Sequence, residues 1–260
     1  MRRVLIIGIG AGDPEQVTVQ AIKALNAADV FFVIDKGTGK QDLTALRQEI
    51  CERYIEGNSY RMVHARDPER DRGAARYRPA VEQWRRERAE IYERLITDEL
   101  ADGDCGAFLV WGDPALYDST LAIIEQIIAK GTLELDYQVI PGISSVQALA
   151  AQHRVSLTQV GKPAHITTGR RLSEEGFPEH CDDVVVMLDA ACSFSQIPQA
   201  GIEIYWGAYI GTKDEILISG HLGDVADQIQ AARREARARK GWIMDTYLLR
   251  RTGGQERGAL

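Results

Sequence analysis

Short apolar runs alternate along this chain with polar, glycine-bearing turns and with longer amphipathic stretches. Val4-Leu5-Ile6-Ile7, Phe108-Leu109-Val110 and Tyr137-Gln138-Val139-Ile140 are each closely followed by glycine. Apolar residues on consecutive positions are what strands buried on both faces require. The stretches between show the helical period instead: Val17, Ala21, Ala24, Leu25 and Ala28 fall on one face. The pattern predicts strands at 4–8, 30–34, 60–64, 107–111, 136–140, 164–168, 184–188, 203–209, 215–219 and 243–248. It predicts helices at 17–28, 41–54, 79–101, 118–130, 143–152 and 224–239. Thr18 is placed to cap the first helix, Asp118-Ser119-Thr120 the fourth, and Gly131 to end the fourth.

Strand–helix alternation of this kind predicts α/β architecture with mainly parallel sheets covered by helices. Ten strands are divided more comfortably between two sheets than held in one. The expectation is therefore two α/β domains of about five strands each, over 1–141 and 142–251. The polar, glycine-rich tail 252–260 is expected to be flexible.

The net charge of -7 argues against broad nucleic-acid or anionic-membrane binding, both of which need a positive field. No run approaches the ~20 apolar residues of a membrane span. The apolar run after Met1-Arg2-Arg3 is too short for a signal peptide. Cys51, Cys105, Cys181 and Cys192 show no paired spacing, and the five histidines form no metal set. No metal is expected, and a reducing, cytoplasmic setting fits these thiols. His153, at the end of the helix over 143–152, reads as a positive partner for the helix dipole. Between Arg66 and Arg94 the charge density rises; the second part reads as a solvated helix face, and the Arg66–Arg78 stretch as a loop.

Three glycine loops carry the candidate chemistry: Gly8-Ile9-Gly10-Ala11-Gly12-Asp13-Pro14, Trp111-Gly112-Asp113-Pro114-Ala115-Leu116-Tyr117 and Pro141-Gly142-Ile143-Ser144-Ser145. Open α/β sheets bind ligands at the carboxyl ends of their strands, where all three loops fall. In a dinucleotide fingerprint position 13 would be glycine; Asp13 stands there, and its carboxylate would repel a pyrophosphate. A phosphate-binding loop with Gly-Lys-Ser/Thr is absent as well. An adenosyl ligand without phosphates suits the loop better, and S-adenosylmethionine (SAM), a cationic sulfonium, is the obvious one. The plainer alternative is that Gly8, Gly10 and Gly12 only form a tight turn.

With these pieces in order, the chain resembles the tetrapyrrole methylases, SAM-dependent enzymes of cobalamin and sirohaem synthesis. Gly211-Thr212-Lys213-Asp214-Glu215 and Gly220-His221-Leu222 complete the likeness. Four further segments resemble the family's deacetylating C-1 methylases of aerobic cobalamin synthesis. They are Phe31 to Gly37, Ile166 to Leu172, Tyr205 to Tyr209 and Lys240 to Tyr247. The resemblance implies a homodimer of two α/β domains with SAM in the interdomain cleft. It implies cofactor contacts at Gly10, Ala11, Trp111, Gly112, Asp113, Leu116, Ser144, Ser145, Met187 and Gly211. The implied reaction is C-1 methylation of precorrin-5 with loss of its acetyl group as acetate, giving precorrin-6A.

Asp35, with Lys36 beside it, ends the second strand and is the candidate base. Arg170 and Arg171 follow a strand and a glycine, and are the candidate anchors for the macrocycle's carboxylates. Alternatives at this stage are another methylase of the family, a nicotinamide-dependent oxidoreductase, or a non-catalytic binder of SAM or tetrapyrrole.

Overall fold

The computed structural model describes residues 1–35, 41–57, 59–68 and 77–252. Lys36, most of the Arg66–Arg78 stretch and the tail from 253 onward lie outside the described residues. The chain divides into two compact units, Met1–Ser144 and Ser145–Leu260.

The first unit holds β1 (Arg2–Gly8), β2 (Val30–Asp35), β3 (Arg61–Arg66), β4 (Cys105–Val110) and β5 (Leu135–Ile140). Its helices are α1 (Val19–Asn26), α2 (Gln41–Tyr54), α3 (Tyr77–Glu99) and α4 (Thr120–Lys130). The strands run in the order β3-β2-β4-β1-β5, and every pairing is parallel. The unbroken apolar run of β1 has a direct cause: alternate residues serve two cores. Leu5 and Ile7 pack with Leu25 of α1 and Ile50 of α2, whereas Val4 and Ile6 pack with Tyr92 of α3 and Ile123 of α4. Thr18 caps α1 through its Oγ1, which accepts from the Ala21 N–H at 3.0 Å. Gly131 ends α4 in the left-handed region.

The helix that follows β2 and the helix that follows β4 lie on opposite faces of this sheet. Neighbouring strands related in this way make a topological switch point, with a crevice at their carboxyl ends. β2 and β4 pair only from Val30↔Gly106 to Phe32↔Phe108. Beyond that point β2 stays with β3 as far as Asp35↔Arg66 and leaves the end of β4.

The second unit holds β6 (Ala164–Thr168), β7 (Asp183–Met187), β8 (Ile202–Ala208), β9 (Ile216–His221) and β10 (Asp245–Arg251). Its helices are α5 (Ser145–His153), α6 (Gly169–Glu175) and α7 (Leu222–Lys240). The order is β6-β7-β10-β8-β9. Here the expectation of mainly parallel pairing is corrected: only β6 and β7 are parallel, and the other three pairings are antiparallel. The reason is in the connections. No helix intervenes between β8 and β9, so they fold back on each other, and β10 enters between β7 and β8. Val184, Val186, Ile204, Trp206, Tyr247 and Leu249 fill the core beneath α7.

Candidate functional site

Three strand ends of the first unit converge on glycine. A Cβ added to Gly8 would stand 2.6 Å from the Gly142 nitrogen and 2.8 Å from the Gly112 oxygen. A Cβ on Gly142 would meet the Gly112 carbonyl and approach the Gly8 carbonyl carbon to 2.8 Å. Only hydrogen side chains permit this packing, so the three loops form one junction. Pairing of β1 with β4 continues past the strand ends: Ile9 N–H donates to Val110 O at 2.9 Å and Gly112 N–H to Gly10 O at 2.8 Å. Gly10 and Gly112 both have positive φ, at 84° and 70°.

Side chains fasten the junction. Asp113 Oδ2 accepts from the Gly142 N–H at 2.9 Å, and its Oδ1 accepts from the Ala115 N–H at 2.8 Å. The carboxylate therefore ties the second loop to the third. Asp13 caps the 3-10 turn Pro14–Gln16 by accepting from the Glu15 N–H at 2.8 Å. Gln16 Oε1 in turn accepts from the Ala11 N–H at 3.3 Å. Leu116 is half-buried, its N–H donating to Asp113 O at 3.2 Å, and Ser144 is buried. Gly10, Ala11, Gly112, Asp113 and Ser144 thus belong to one end of the first sheet.

Trp111, an expected cofactor contact, has a place in the core as well. Its ring packs against the core under α1 and α2, and its Nε1 is buried without a hydrogen-bond partner among the described residues. Asp35 is exposed at the end of β2, and its carbonyl accepts from the Asp67 N–H at 2.9 Å. Lys36 lies outside the described residues.

In the second unit Ser145 and Met187 are gathered around Thr246. Ser145 Oγ lies 3.1 Å from Thr246 Oγ1, and Thr246 sits opposite Met187 in the sheet. Met187 is half-buried, and Leu188 follows it in the left-handed region with 62% of its surface exposed. A buried polar network holds the chain just beyond. Asp189 Oδ2 accepts from the Ser193 N–H at 2.6 Å and from the Tyr247 hydroxyl at 2.7 Å. Arg233 donates to the Asp189 carbonyl at 2.5 Å and to Asp245 Oδ2 at 2.9 Å. Burial pushes the Asp245 carboxyl above the usual range, with Arg233 and the Trp206 N–H pulling against it. Gly211, with φ 78°, is fixed by its N–H donating to Glu215 Oε2 at 2.7 Å.

Arg170 and Arg171 stand at the carboxyl end of β6 as expected, but on a helix, α6. Glu174 Oε1 lies 3.9 Å from Arg170 and Glu175 Oε1 2.6 Å from Arg171, all four side chains being more than half exposed. His153 departs from its expected role as a charged dipole partner. Its Nε2 is 3.0 Å from the Trp206 carbonyl, and burial holds its pKa below the usual histidine value. A neutral ring donating one hydrogen bond is the form this site favours. No metal-ligating cluster occurs among the described residues. Burial pushes the Cys51 thiol up to about 12, which suits an inert core residue.

Residues that sequence reasoning missed are Arg47, Gln16, Asp189 and Arg233. Arg47, Gln16 and Arg233 each have polar neighbours from which only long-range geometry separates them, whereas Asp189 is a lone carboxylate in the apolar run from Val184 to Cys192.

A model of the family described as Tetrapyrrole (Corrin/Porphyrin) Methylases matches residues 3–226. The chain is 52% identical over 251 residues to a precorrin-6A synthase [deacetylating] of Sinorhizobium sp, covering 96% of each chain. It superposes with a TM-score of 0.81 on a putative cobalamin synthesis related protein (CobF) from Corynebacterium diphtheriae. Identity there is 37%, over 97% of this chain and 99% of that one. A uroporphyrin-III C-methyl transferase from Thermus thermophilus, solved with S-adenyl homocysteine, shares the fold at TM-score 0.55 and 16% identity. That match covers 95% of this chain and 91% of that one.

Proposed function

Because the chain belongs to the tetrapyrrole (corrin/porphyrin) methylase family, we propose that it methylates C-1 of precorrin-5 with SAM and releases the acetyl group as acetate. The product is precorrin-6A. The observation that carries this reading is the likeness to a deacetylating precorrin-6A synthase, 52% identical over 96% of both chains.

The residues present fit SAM and not a dinucleotide. Asp13 is committed to capping a turn inside the first loop, where a pyrophosphate would need neutral main chain. Gly10, Ala11, Gly112 and Ser144, gathered at the glycine junction, are the main-chain contacts that the family likeness supports. Leu116 in the first unit and Met187 in the second are each half-buried apolar candidates, and the family likeness supports Asp113, Ser145 and Gly211 as further cofactor contacts. When bound, SAM supplies an electrophilic methyl group.

The chain's own part is to hold, orient and move protons. Asp35, exposed at a strand end of the switch-point sheet, accepts a proton from the water that attacks the acetyl carbonyl; Lys36 follows it in sequence. Arg170 and Arg171 bind acetate or propionate arms of the macrocycle as forked donors. Alignment of this kind contributes several kcal/mol of barrier reduction, roughly the scale of well-oriented intramolecular reactions. The reading carries with it a homodimeric, cytoplasmic enzyme; no described helix is long and apolar enough to cross a membrane.

The test is mass spectrometry of the macrocycle after incubation of precorrin-5 with the protein and methyl-labelled SAM. Labelled methyl gained with acetyl lost is the expected result. Methyl gained with acetyl retained would keep a methylase and reject the deacetylating activity. Asp35→Asn should abolish most turnover while leaving SAM affinity within about twofold; full activity would remove Asp35 from the reaction.

A further inference from the structure

A cavity of about 60 Å³ lies where β2 and β4 part, at the carboxyl end of the first sheet. Its polar lining is Arg47 of α2, Arg88 and Tyr92 of α3, Trp111 after β4, and Asp118 and Thr120 at the head of α4. Most of these groups are committed to one another. Arg88 Nε lies 2.9 Å from Asp67 Oδ1, and Arg88 Nη2 donates to the Tyr92 hydroxyl at 2.8 Å. Asp118 Oδ1 accepts from the Thr120 N–H at 2.7 Å.

Arg47 and Trp111 are the exceptions. Val110 O faces β1, where it accepts from Ile9, so Leu109 O faces the side that β2 has left. Arg47 Nε takes the place of the missing strand, donating to Leu109 O at 3.1 Å, while Nη1 donates to Leu43 O at 3.0 Å. No carboxylate forms an ion pair with Arg47 among the described residues. Burial lowers its pKa, and Asp118 compensates only through space. Trp111 Nε1 is a buried donor with no acceptor among the described residues. The unpartnered N–H of Trp111 costs free energy, and the half-buried Arg47, held by two backbone carbonyls and no carboxylate, borders the same small space.

The space is matched to a small acceptor. At about 60 Å³ the cavity exceeds the ~10–15 Å³ that a single water needs, and it has room for a two-carbon group.

We propose that this cavity is an acyl pocket, in which Arg47 and the Trp111 indole N–H donate to the oxygen of a two-carbon acyl group of the macrocycle. The proposal rests on the functional reading above and gives that reaction its oxyanion site. The water oxygen bonds to the acetyl carbon, and the carbonyl electron pair moves onto the oxygen that Arg47 and Trp111 face. The carbon–carbon bond then breaks, leaving its pair on C-1 for methylation. One water proton passes to Asp35 and the other to solvent, and acetate is left in the pocket. Preorganised donors of this kind are worth roughly 10²–10³ in rate.

The probe is carbon-13 acetate, titrated by NMR into the wild-type protein, Trp111→Phe and Arg47→Lys. Saturable binding to the wild type, weakened tenfold or more in each variant, is expected. No saturable binding to the wild type, or equal binding by all three, overturns the pocket. Turnover kinetics then separate the two sources of the same chemistry. A fall in kcat at unchanged KM assigns the pocket to the acetyl group that leaves; a rise in KM at unchanged kcat assigns it to a standing acetate arm. Wild-type protein that binds acetate yet leaves the acetyl group on precorrin-5 would keep the pocket and overturn the functional reading.

Discussion

The N–H of Gly142 donates to Oδ2 of Asp113 at 2.9 Å, joining the loop after β5 to the loop after β4. With Oδ1 held by Ala115, both carboxylate oxygens serve the backbone. Asp113→Ala would strand two N–H groups and should lower stability by about 2 kcal/mol. It should also weaken SAM tenfold or more by calorimetric titration. Asp113→Asn keeps one acceptor and should fall between wild type and Ala. An Ala variant with wild-type SAM affinity would show that the junction does not govern the cofactor site.

Gly142→Ala tests the junction sterically. The added Cβ meets backbone on two sides, and backbone cannot turn aside as a side-chain tip can. A loss of about 1–3 kcal/mol is expected in the thermal melt, with SAM binding lost alongside. Gly223→Ala is the contrast. It lies in α7 with its nearest neighbour at 3.5 Å, and should stabilise the protein by about 0.5–1 kcal/mol through helix propensity.

Arg170 and Arg171 are exposed, and each has a glutamate one turn along α6. Pairs of this kind contribute about 0.3–0.5 kcal/mol, so Arg170→Ala with Arg171→Ala should leave the melting temperature nearly unchanged. Steady-state kinetics should show a raised macrocycle KM with SAM affinity intact. The opposite pattern would move these residues away from the substrate.

His153 gives the second unit a pH dependence with a definite sign. Its folded pKa lies below the unfolded value of about 6.5, so the unfolded chain binds the proton first. The contribution is complete above about pH 6.5 and declines as pH falls toward the depressed folded value. Denaturant titrations at pH 7.5 and 5.5 should show that loss, and His153→Gln should flatten it. A slope that survives the substitution belongs to other groups.

The strands were legible because burial on both faces writes itself as consecutive apolar residues, as Val4 to Ile7 illustrate by feeding two cores in alternation. Strand neighbours are not written in that way. Tyr247 and Trp206 look alike in sequence whether their strands are parallel or antiparallel, and the mixed second sheet emerged only from the fold. Helix α6 escaped notice because Leu172 is its single large apolar residue. The candidate site divides along the same line. Glycines that permit close approach stand out at Gly8, Gly112 and Gly142, since no other residue satisfies that geometry. Arg47 sits in a helix whose sequence marks Leu43, Leu46 and Ile50 for the core but does not set this arginine apart from Arg53, and its bond to Leu109 O is made where β2 has left β4.

The place of β10 bears on how the protein is made. The last of the described strands is the middle strand of its sheet, with β7 on one side and β8 on the other. On the ribosome the first unit can close once its own residues have emerged, whereas the second must wait for Asp245–Arg251. Until Asp245–Arg251 is released, β7 and β8 each present a bare edge where the sheet should be continuous. A nonsense codon a few residues before Asp245 would therefore yield a split sheet with two adhesive edges, a product for chaperones and proteases and not a slightly shortened enzyme.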